Sequence, residues 1–207
     1  MVDTQIRPSD VTKFPIIEAF LSVPREKFVP DGKREAAYIG ENFKIGQSRV
    51  ILEPRTLAKL LDALDIRNDE LVLDIGPGLG YSSAVISPMA EVVIAVEDDS
   101  SMAIEAEEIL TEVGADNVVI QIGKLEDGAP EHGPYDVIIL QGGVEKIPSS
   151  ILKQLKNGGR VGAIFVEEGL GTAKIGFKLN DKINWRYSFN AAAPVLPGFF
   201  KQKDFVL

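Results

Sequence analysis

A glycine-rich stretch contains the residues best suited to bind a ligand. Three glycines alternate with other residues between Gly76 and Gly80, after an apolar run that includes Asp74 near its end. This pattern predicts a buried strand that turns sharply into a helix beginning near Tyr81. Glycines allow positive φ and leave backbone N–H groups open to a ligand, and the helix N-terminus adds partial positive charge. The loop is therefore predicted to cradle part of a nucleotide-like ligand.

The spacing of the glycines indicates which ligand. Dinucleotide-binding loops use G-x-G-x-x-G, in which the second glycine makes room for a pyrophosphate. Here the pattern is G-x-G-x-G, and the acid Asp74 precedes it. A pyrophosphate would be repelled, whereas a ligand with a positive amino group would be favoured. S-adenosylmethionine carries such an ammonium group, and we predict that it is the cofactor, with S-adenosylhomocysteine as its product.

A second acid follows the next apolar run. Residues 92–97 are predicted to form a strand that ends in Glu97, and Asp98 and Asp99 come directly after it. An acid at the tip of the second strand is placed to accept hydrogen bonds from both ribose hydroxyls of a nucleoside. The alternative interpretation is structural, since these acids can also cap a helix that starts near Ser100.

Composition and charge indicate an ordinary globular protein. The 207 residues are 45% hydrophobic and 26% charged, which is enough for one sizeable core. With 22 basic and 31 acidic residues the net charge is −9, and this field argues against a nucleic-acid partner.

The residue types also disfavour several other classes. There is no cysteine, and the one histidine, His132, is predicted to lie in a solvated loop, so no metal site is expected. The N-terminus has neither an apolar signal core nor a basic transit segment, and no apolar run approaches membrane-spanning length. We expect a cytoplasmic protein without a membrane partner.

The part of the chain before about Leu64 is predicted to be helical. Ser9 or Asp10 is expected to cap a first helix. Its apolar residues recur at helical spacing, namely Phe14, Ile17, Phe20 and Leu21. Residues 40–53 lack a clear period and are expected to form an irregular or extended segment, a candidate wall of the active site. A further helix is predicted to begin at Pro54.

From Leu71 onward strand and helix signals alternate, which predicts a parallel sheet covered on both faces. Five strands are predicted, at 71–74, 92–97, 118–122, 135–140 and 160–166. The tail alternates polar and apolar residues around Asn180-Asp181-Lys182, which is typical of an antiparallel hairpin. The fold class is therefore α/β, with a doubly wound, mostly parallel, Rossmann-like sheet, an antiparallel C-terminal hairpin and an N-terminal helical extension.

This organisation predicts one domain over residues 1–207, with 1–64 as its N-terminal helical part and 65–207 as the cofactor-binding core. In open α/β sheets, ligands bind outside the carboxyl ends of the strands. The loops that follow the first four predicted strands are expected to converge there, and they are 76–80, 97–99, 123–125 and 141–143.

Several segments, in the same order along the chain, also match a known family. They are Val23-Pro24-Arg25-Glu26-Lys27-Phe28-Val29-Pro30, Ile45-Gly46-Gln47, the glycine loop, Pro134-Tyr135-Asp136-Val137-Ile138-Ile139 and Gly158-Gly159-Arg160. Together they resemble protein-L-isoaspartate O-methyltransferases over nearly the whole chain, and the first segment is the most specific. The resemblance implies a methyltransferase fold and methyl transfer from S-adenosylmethionine to the free α-carboxylate of isoaspartyl residues in damaged proteins.

The resemblance also implies roles for residues of the predicted crevice. The three loop glycines would bind the methionine end of the cofactor, and Glu97 would bind the ribose. The residues predicted to bind the cofactor are Asp74, Gly76, Pro77, Gly78, Gly80, Tyr81, Glu97, Asp98, Lys124 and Leu125.

Two departures from the family pattern concern the substrate and the adenine. Where the family reads Thr-Ile-Ser-x-Pro, with hydroxyls over the reacting carboxylate, this chain reads Val50-Ile51-Leu52-Glu53-Pro54. Where the family reads Gly-Asp-Gly, this chain reads Gly123-Lys124-Leu125, and lysine cannot accept a hydrogen bond from the adenine amino group. Glu126 is a candidate substitute. No catalytic residue is assigned, and the substrate-site candidates are Val50, Leu52 and Gln141.

These departures leave alternatives open. The acceptor is an isoaspartyl protein or peptide, or else a different one such as a small metabolite. A third possibility is a degenerate protein that binds the cofactor, or has lost it, and works by interaction. Residues 194–200 are interpreted either as a lid or substrate wall or as packing for the hairpin. The oligomeric state is not predicted.

Overall fold

The computed structural model describes residues 1–30 and 32–201. The other positions of the predicted 1–207 domain lie outside the described residues. The N-terminal part contains two helices, α1 (Phe14–Ser22) and α2 (Pro54–Leu64). Shorter helical turns precede or separate them, at Val2–Ile6, Arg7–Ser9, Arg25–Phe28 and Arg34–Ala36. Between these turns and α2, β1 (Phe43–Lys44) and β2 (Val50–Ile51) form a small antiparallel hairpin.

A seven-stranded sheet forms the rest of the structure. Its strands are β3 (Leu71–Ile75), β4 (Val92–Glu97), β5 (Val118–Ile122), β6 (Tyr135–Val144), β7 (Leu155–Glu167), β8 (Leu170–Leu179) and β9 (Lys182–Asn190). Their order across the sheet is β5-β4-β3-β6-β7-β8-β9. The strands from β5 to β7 are parallel, and β8 and β9 continue antiparallel. The intervening helices are α3 (Tyr81–Ile86), α4 (Ser100–Glu112) and α5 (Ser149–Lys153), with helical turns at Ser87–Met89 and Pro130–His132.

This architecture confirms the predicted fold class, including the C-terminal hairpin. Strand order reverses beside β3, because β4 and β5 extend to one side of it and β6 lies on the other. The carboxyl ends of β3, β4 and β6 therefore border one crevice. β3 is one residue longer than predicted, and two other strands are longer by several residues, since β6 continues to Val144 and β7 begins at Leu155.

Alternating side chains of the central strands enter two apolar clusters. Val72 and Val93 belong to one cluster, which also contains the buried residues of α1 and α2. Leu73 and Ile94 belong to the other, together with Leu196 and Phe199 from the C-terminal segment. Successive residues of a strand point to opposite faces, so the two clusters lie on the two sides of the sheet. The N-terminal helices thus cover one face only.

The first helix differs from its prediction. It begins at Phe14 after Lys13, without a side-chain cap, so the predicted caps Ser9 and Asp10 are wrong. Ile17 and Phe20 are buried, but Phe14 and Leu21 are 72% and 67% exposed. Residues seven apart lie on the same side of a helix. Phe14 and Leu21 therefore share the side opposite the buried face.

The extended character predicted for residues 40–53 is confirmed by the β1–β2 hairpin, and α2 begins at Pro54 as predicted. His132 lies exposed in the turn before β6, also as predicted. Within the described residues, no helix is both long and apolar enough to cross a membrane.

Candidate active site

The glycine loop joins β3 to α3 in the predicted way. Gly76, Gly78 and Gly80 all have positive φ, at 76°, 62° and 92°. Backbone hydrogen bonds from Gly76 to the Val96 carbonyl (2.9 Å) and from Gly80 to the Pro77 carbonyl (3.1 Å) hold the turn. Residues with a Cβ atom rarely adopt such φ values, so this turn depends on glycine. Its backbone lies at the end of β3, next to the end of β4.

Glu97, the last residue of β4, is held against this loop. Its Oε2 accepts a hydrogen bond from the Gly78 backbone N–H at 2.8 Å. Its Oε1 accepts from the N–H groups of Asp98 and Asp99, both at 3.1 Å. Burial raises the pKa of the Glu97 carboxyl to about 7, although the charge of Arg49 acts in the opposite direction. The structure therefore brings together the loop and the acid that the sequence predicted to share one ligand.

Arg49 is the residue of the site that sequence reasoning missed. Its guanidinium donates a hydrogen bond to Glu97 Oε2 and lies 3.4 Å from Asp98 Oδ1. The Arg49 side chain is only 7% exposed, and that of Glu97 is fully buried. The sequence signal was weak, because Arg49 is a single arginine in a segment without helical or strand periodicity. No pattern there indicates what its side chain contacts.

A tight turn, the 45–49 turn, places Arg49 over the glycine loop. The Arg49 carbonyl accepts hydrogen bonds from the N–H groups of Ile45 (3.0 Å) and Gly46 (3.2 Å). A Cβ atom on Gly76 would lie 3.0 Å from Nη1 of Arg49, and one on Gly78 would overlap Cδ1 of Ile45. Two side chains of the 45–49 turn therefore lie directly against the glycines.

Asp74 lies beneath the loop. Its Oδ2 accepts hydrogen bonds from the hydroxyls of Ser82 (2.6 Å) and Ser83 (2.7 Å), and its Oδ1 accepts from Gln141 Nε2 (2.7 Å). The residue is fully buried, and this burial raises the pKa of its carboxyl while the three hydrogen bonds lower it. Asp74 thus joins β3, α3 and β6. Both of its oxygens are engaged within the protein.

The remaining cofactor candidates surround the loop. Pro77 and Tyr81 are buried with it, and Asp98 is exposed beside Glu97. After β5, Lys124 is exposed and Leu125 is fully buried. Leu125 packs in the cluster that contains Leu140 and Phe199.

The substrate candidates Val50 and Leu52 lie in different surroundings. Val50 is half-buried and pairs with Lys44 in the β1–β2 hairpin. The Leu52 side chain is only 2% exposed and packs in the cluster of α1 and α2. Its backbone carbonyl accepts a hydrogen bond from Arg25 Nη2 at 3.0 Å. The third candidate, Gln141, is buried and donates to Asp74, and its strand β6 packs next to β2. A shared role of the three candidates in substrate binding stays a prediction.

The C-terminal segment packs along the end of β6. The N–H of Gly143 donates to the Pro194 carbonyl (2.7 Å), and Leu196 donates back to the Gly143 carbonyl (2.9 Å). A Cβ on Gly142 would lie 2.7 Å from the Leu196 side chain, so this contact requires glycine. Residues 194–199 therefore pack on the end of β6, which borders the crevice, and both interpretations of residues 194–200 stay predictions.

The chain is similar in sequence to known proteins of one family. Residues 1–185 match the family model described as protein-L-isoaspartate(D-aspartate) O-methyltransferase. A protein-L-isoaspartate O-methyltransferase of Syntrophus aciditrophicus is 39% identical over 161 residues, covering 78% of this chain and 74% of that protein. One of Opitutus terrae is 35% identical over the same length, covering 78% and 69%.

Solved structures show the same fold. A protein-L-isoaspartate O-methyltransferase superimposes with a TM-score of 0.83 at 26% identity, covering 93% of this chain but 63% of that one. A Plasmodium falciparum structure, described as a putative protein-L-isoaspartate O-methyltransferase in complex with S-adenosyl-L-homocysteine, gives a TM-score of 0.78 at 19% identity. It covers 92% of this chain and 93% of the other.

Proposed function

Because the chain belongs to the protein-L-isoaspartate(D-aspartate) O-methyltransferase family, we propose that it transfers a methyl group from S-adenosylmethionine to the carboxylate of isoaspartyl residues in damaged proteins. The observation that carries the proposal is the contact between the glycine loop and Glu97. The Gly78 N–H and Glu97 Oε2 are 2.8 Å apart at the ends of two adjacent parallel strands.

The residues present fit an adenosyl cofactor. Glu97 offers carboxylate oxygens for the ribose hydroxyls, and the three glycines beside it carry no side chain of their own. Asp74 before the loop, Pro77 within it and Tyr81 after it are all buried. Asp98, Lys124 and Leu125 would border the nucleoside, since they follow β4 and β5. S-adenosylmethionine supplies a methyl group already activated on a sulfonium.

The protein's own contribution to this reaction is alignment. A carboxylate acceptor is already ionised at neutral pH, so no general base has to remove a proton from it. Holding nucleophile and methyl group in line is then the main requirement, and oriented binding of this kind contributes a large share of rate acceleration. The buried hydrogen bonds of Asp74 with Ser82, Ser83 and Gln141 tie the strand before the loop to the helix after it and to β6.

The acceptor side of the predicted crevice differs from the family pattern. Val50 and Leu52 supply no hydroxyl, so we propose that backbone groups of the β2 region and Gln141 orient the substrate carboxylate instead. The partner is thus a protein or peptide with isoaspartate. We further infer that residues 1–64 and 65–207 act as one domain, supported by the contact of Arg25 with Tyr81 across them. The cytoplasmic location and the lack of nucleic-acid and membrane partners stay predictions.

The test is transfer of labelled methyl to an isoaspartyl peptide, with its aspartyl twin as the control substrate. Selective labelling of the isoaspartyl peptide is expected. The variant Glu97→Ala should weaken binding of S-adenosylhomocysteine at least about tenfold, which corresponds to one lost charge-assisted pair of hydrogen bonds. The matched variant Glu107→Ala changes an exposed acid of α4 and should bind as the wild type does.

Two results would contradict the proposal in different ways. Binding of S-adenosylhomocysteine without transfer to the isoaspartyl peptide would indicate another acceptor. Absence of binding by folded protein would contradict the cofactor assignment itself.

A further inference from the structure

We propose that Arg49 and Ile45 form an intramolecular latch on the cofactor pocket, so that S-adenosylmethionine enters only when the 45–49 turn moves away from the glycine loop. The inference rests on the proposed function, because that function names the ligand with which the latch competes. Three observations support it. Arg49 and the cofactor would use the same carboxylate, and the 45–49 turn and the cofactor would fill the same space. The turn also has a way to move off the loop.

The shared carboxylate is that of Glu97. Its two oxygens already accept three backbone hydrogen bonds, and Arg49 adds a charged donor at Oε2. Carboxylate oxygens have a limited number of lone-pair sites, and two ribose hydroxyls would need the same ones. In this conformation Arg49 therefore occupies the hydrogen-bonding site on Glu97 that the ribose would use.

The shared volume lies directly against the loop. Arg49 Nη1 sits 3.0 Å from the position of a Cβ on Gly76, and the end of Ile45 reaches the position of a Cβ on Gly78. Glycines keep backbone open for a ligand only if no other side chain fills the gap. Here the 45–49 turn fills the gaps beside Gly76 and Gly78, whereas Gly80 packs against Ala106 and Leu110 of α4. The cofactor and the 45–49 turn therefore exclude each other at the first two glycines.

A local route of release exists because the turn is weakly tied and Arg49 has a second partner. The turn connects two strands of only two residues each. Asp98 Oδ1 lies 3.4 Å from Arg49 Nη1, and the Asp98 side chain is 31% exposed at the edge of the site. Leaving a buried carboxylate without its partner is costly, but the incoming ribose replaces the donor on Glu97 while Asp98 keeps Arg49 paired.

The latch predicts that cofactor affinity is limited by the protein's own closed state. Apparent affinity falls in proportion to the fraction of molecules that can bind, so a chain closed about nine times in ten binds about tenfold more weakly. Weakening the latch should recover this factor.

The experiment measures binding of S-adenosylhomocysteine by titration calorimetry to wild type, Arg49→Gln and Ile45→Ala. Ile45→Ala is informative because it empties the space over Gly78 and leaves the Arg49–Glu97 pair intact. The matched control is Arg7→Gln, which removes an exposed arginine whose partner is Asp3. Circular dichroism checks that every variant is folded.

Tighter binding by Arg49→Gln or Ile45→Ala, with Arg7→Gln equal to wild type, is the expected result. Hydrogen exchange of residues 45–49 should also become faster when S-adenosylhomocysteine is added, because the turn is released. If wild type binds and neither variant binds more tightly, the latch is wrong and the proposed function stands. If no folded protein binds the ligand, the proposed function fails and the latch fails with it.

Discussion

The Arg25 guanidinium stacks on the ring of Tyr81, with 4.6 Å between Cζ and the ring centroid. Arg25 is fully buried, and it also donates hydrogen bonds to the carbonyls of Ala37 (2.8 Å) and Leu52 (3.0 Å). Tyr81 is the first residue of α3, directly after the glycine loop. One side chain of the N-terminal part therefore contacts both the 50–52 segment and α3, the helix that follows the glycine loop.

We predict that Arg25→Met lowers the free energy of unfolding by about 2–4 kcal/mol, because two buried carbonyls lose their donor. The comparison variant is Lys27→Met, in the same helical turn, whose ion pair with Glu112 is exposed and should contribute much less to stability. Urea denaturation of both variants measures the difference. Equal effects would show that the Arg25 contacts add nothing beyond an ordinary surface pair.

Asp74→Asn should destabilise the protein by about 1–3 kcal/mol, since an amide nitrogen at Oδ2 would leave two hydroxyls without their acceptor. Those hydroxyls belong to Ser82 and Ser83 at the start of α3. Thermal unfolding is the measurement, and Asp69→Asn, at an exposed position, is the control. An unchanged melting temperature for Asp74→Asn would mean that the network does not stabilise the loop.

Glu70 is predicted to make stability depend on acid pH. Burial raises the pKa of its carboxyl, but hydrogen bonds from Arg160 and from the Arg67 backbone outweigh this and hold the pKa below its ordinary value of 4.5. A lowered pKa in the folded state stabilises above the unfolded value and loses that contribution as the pH falls.

The stability difference between wild type and Glu70→Gln should therefore be largest near neutral pH and shrink as the pH falls below about 4.5. Urea titrations between pH 7 and pH 3 measure it. Glu107→Gln, which changes an exposed acid, should show no such narrowing. A difference that stays constant down to pH 3 would contradict the prediction.

Leu52→Ser tests whether restoring a hydroxyl restores the family's substrate site. Because Leu52 packs in the core, we expect loss of about 2–4 kcal/mol of stability and no gain in methyl transfer. Val50→Thr, at a half-buried position where the new hydroxyl can remain near solvent, should lower stability less than Leu52→Ser does. Faster transfer by a fully stable Leu52→Ser protein would show instead that residue 52 faces the crevice.

Local pattern alone determined much of this protein. The apolar runs predicted the β3, β4 and β5 strands, and the alternating glycines predicted the turn before Tyr81. The placement of Glu97 beside that turn also followed, because parallel strands end at one edge of a sheet. These features depend on residues close in sequence and on few topological rules.

Tertiary structure decided which side chains meet across the molecule. Arg49 reaches Glu97 from 48 residues away, and Gln141 reaches Asp74 from 67 residues away. Burial could not be predicted from residue type either, since Phe14 is exposed and Leu52 is buried although both are apolar. Spacing along the chain fixes which residues share a face, but only the packing of separate segments determines what that face contacts.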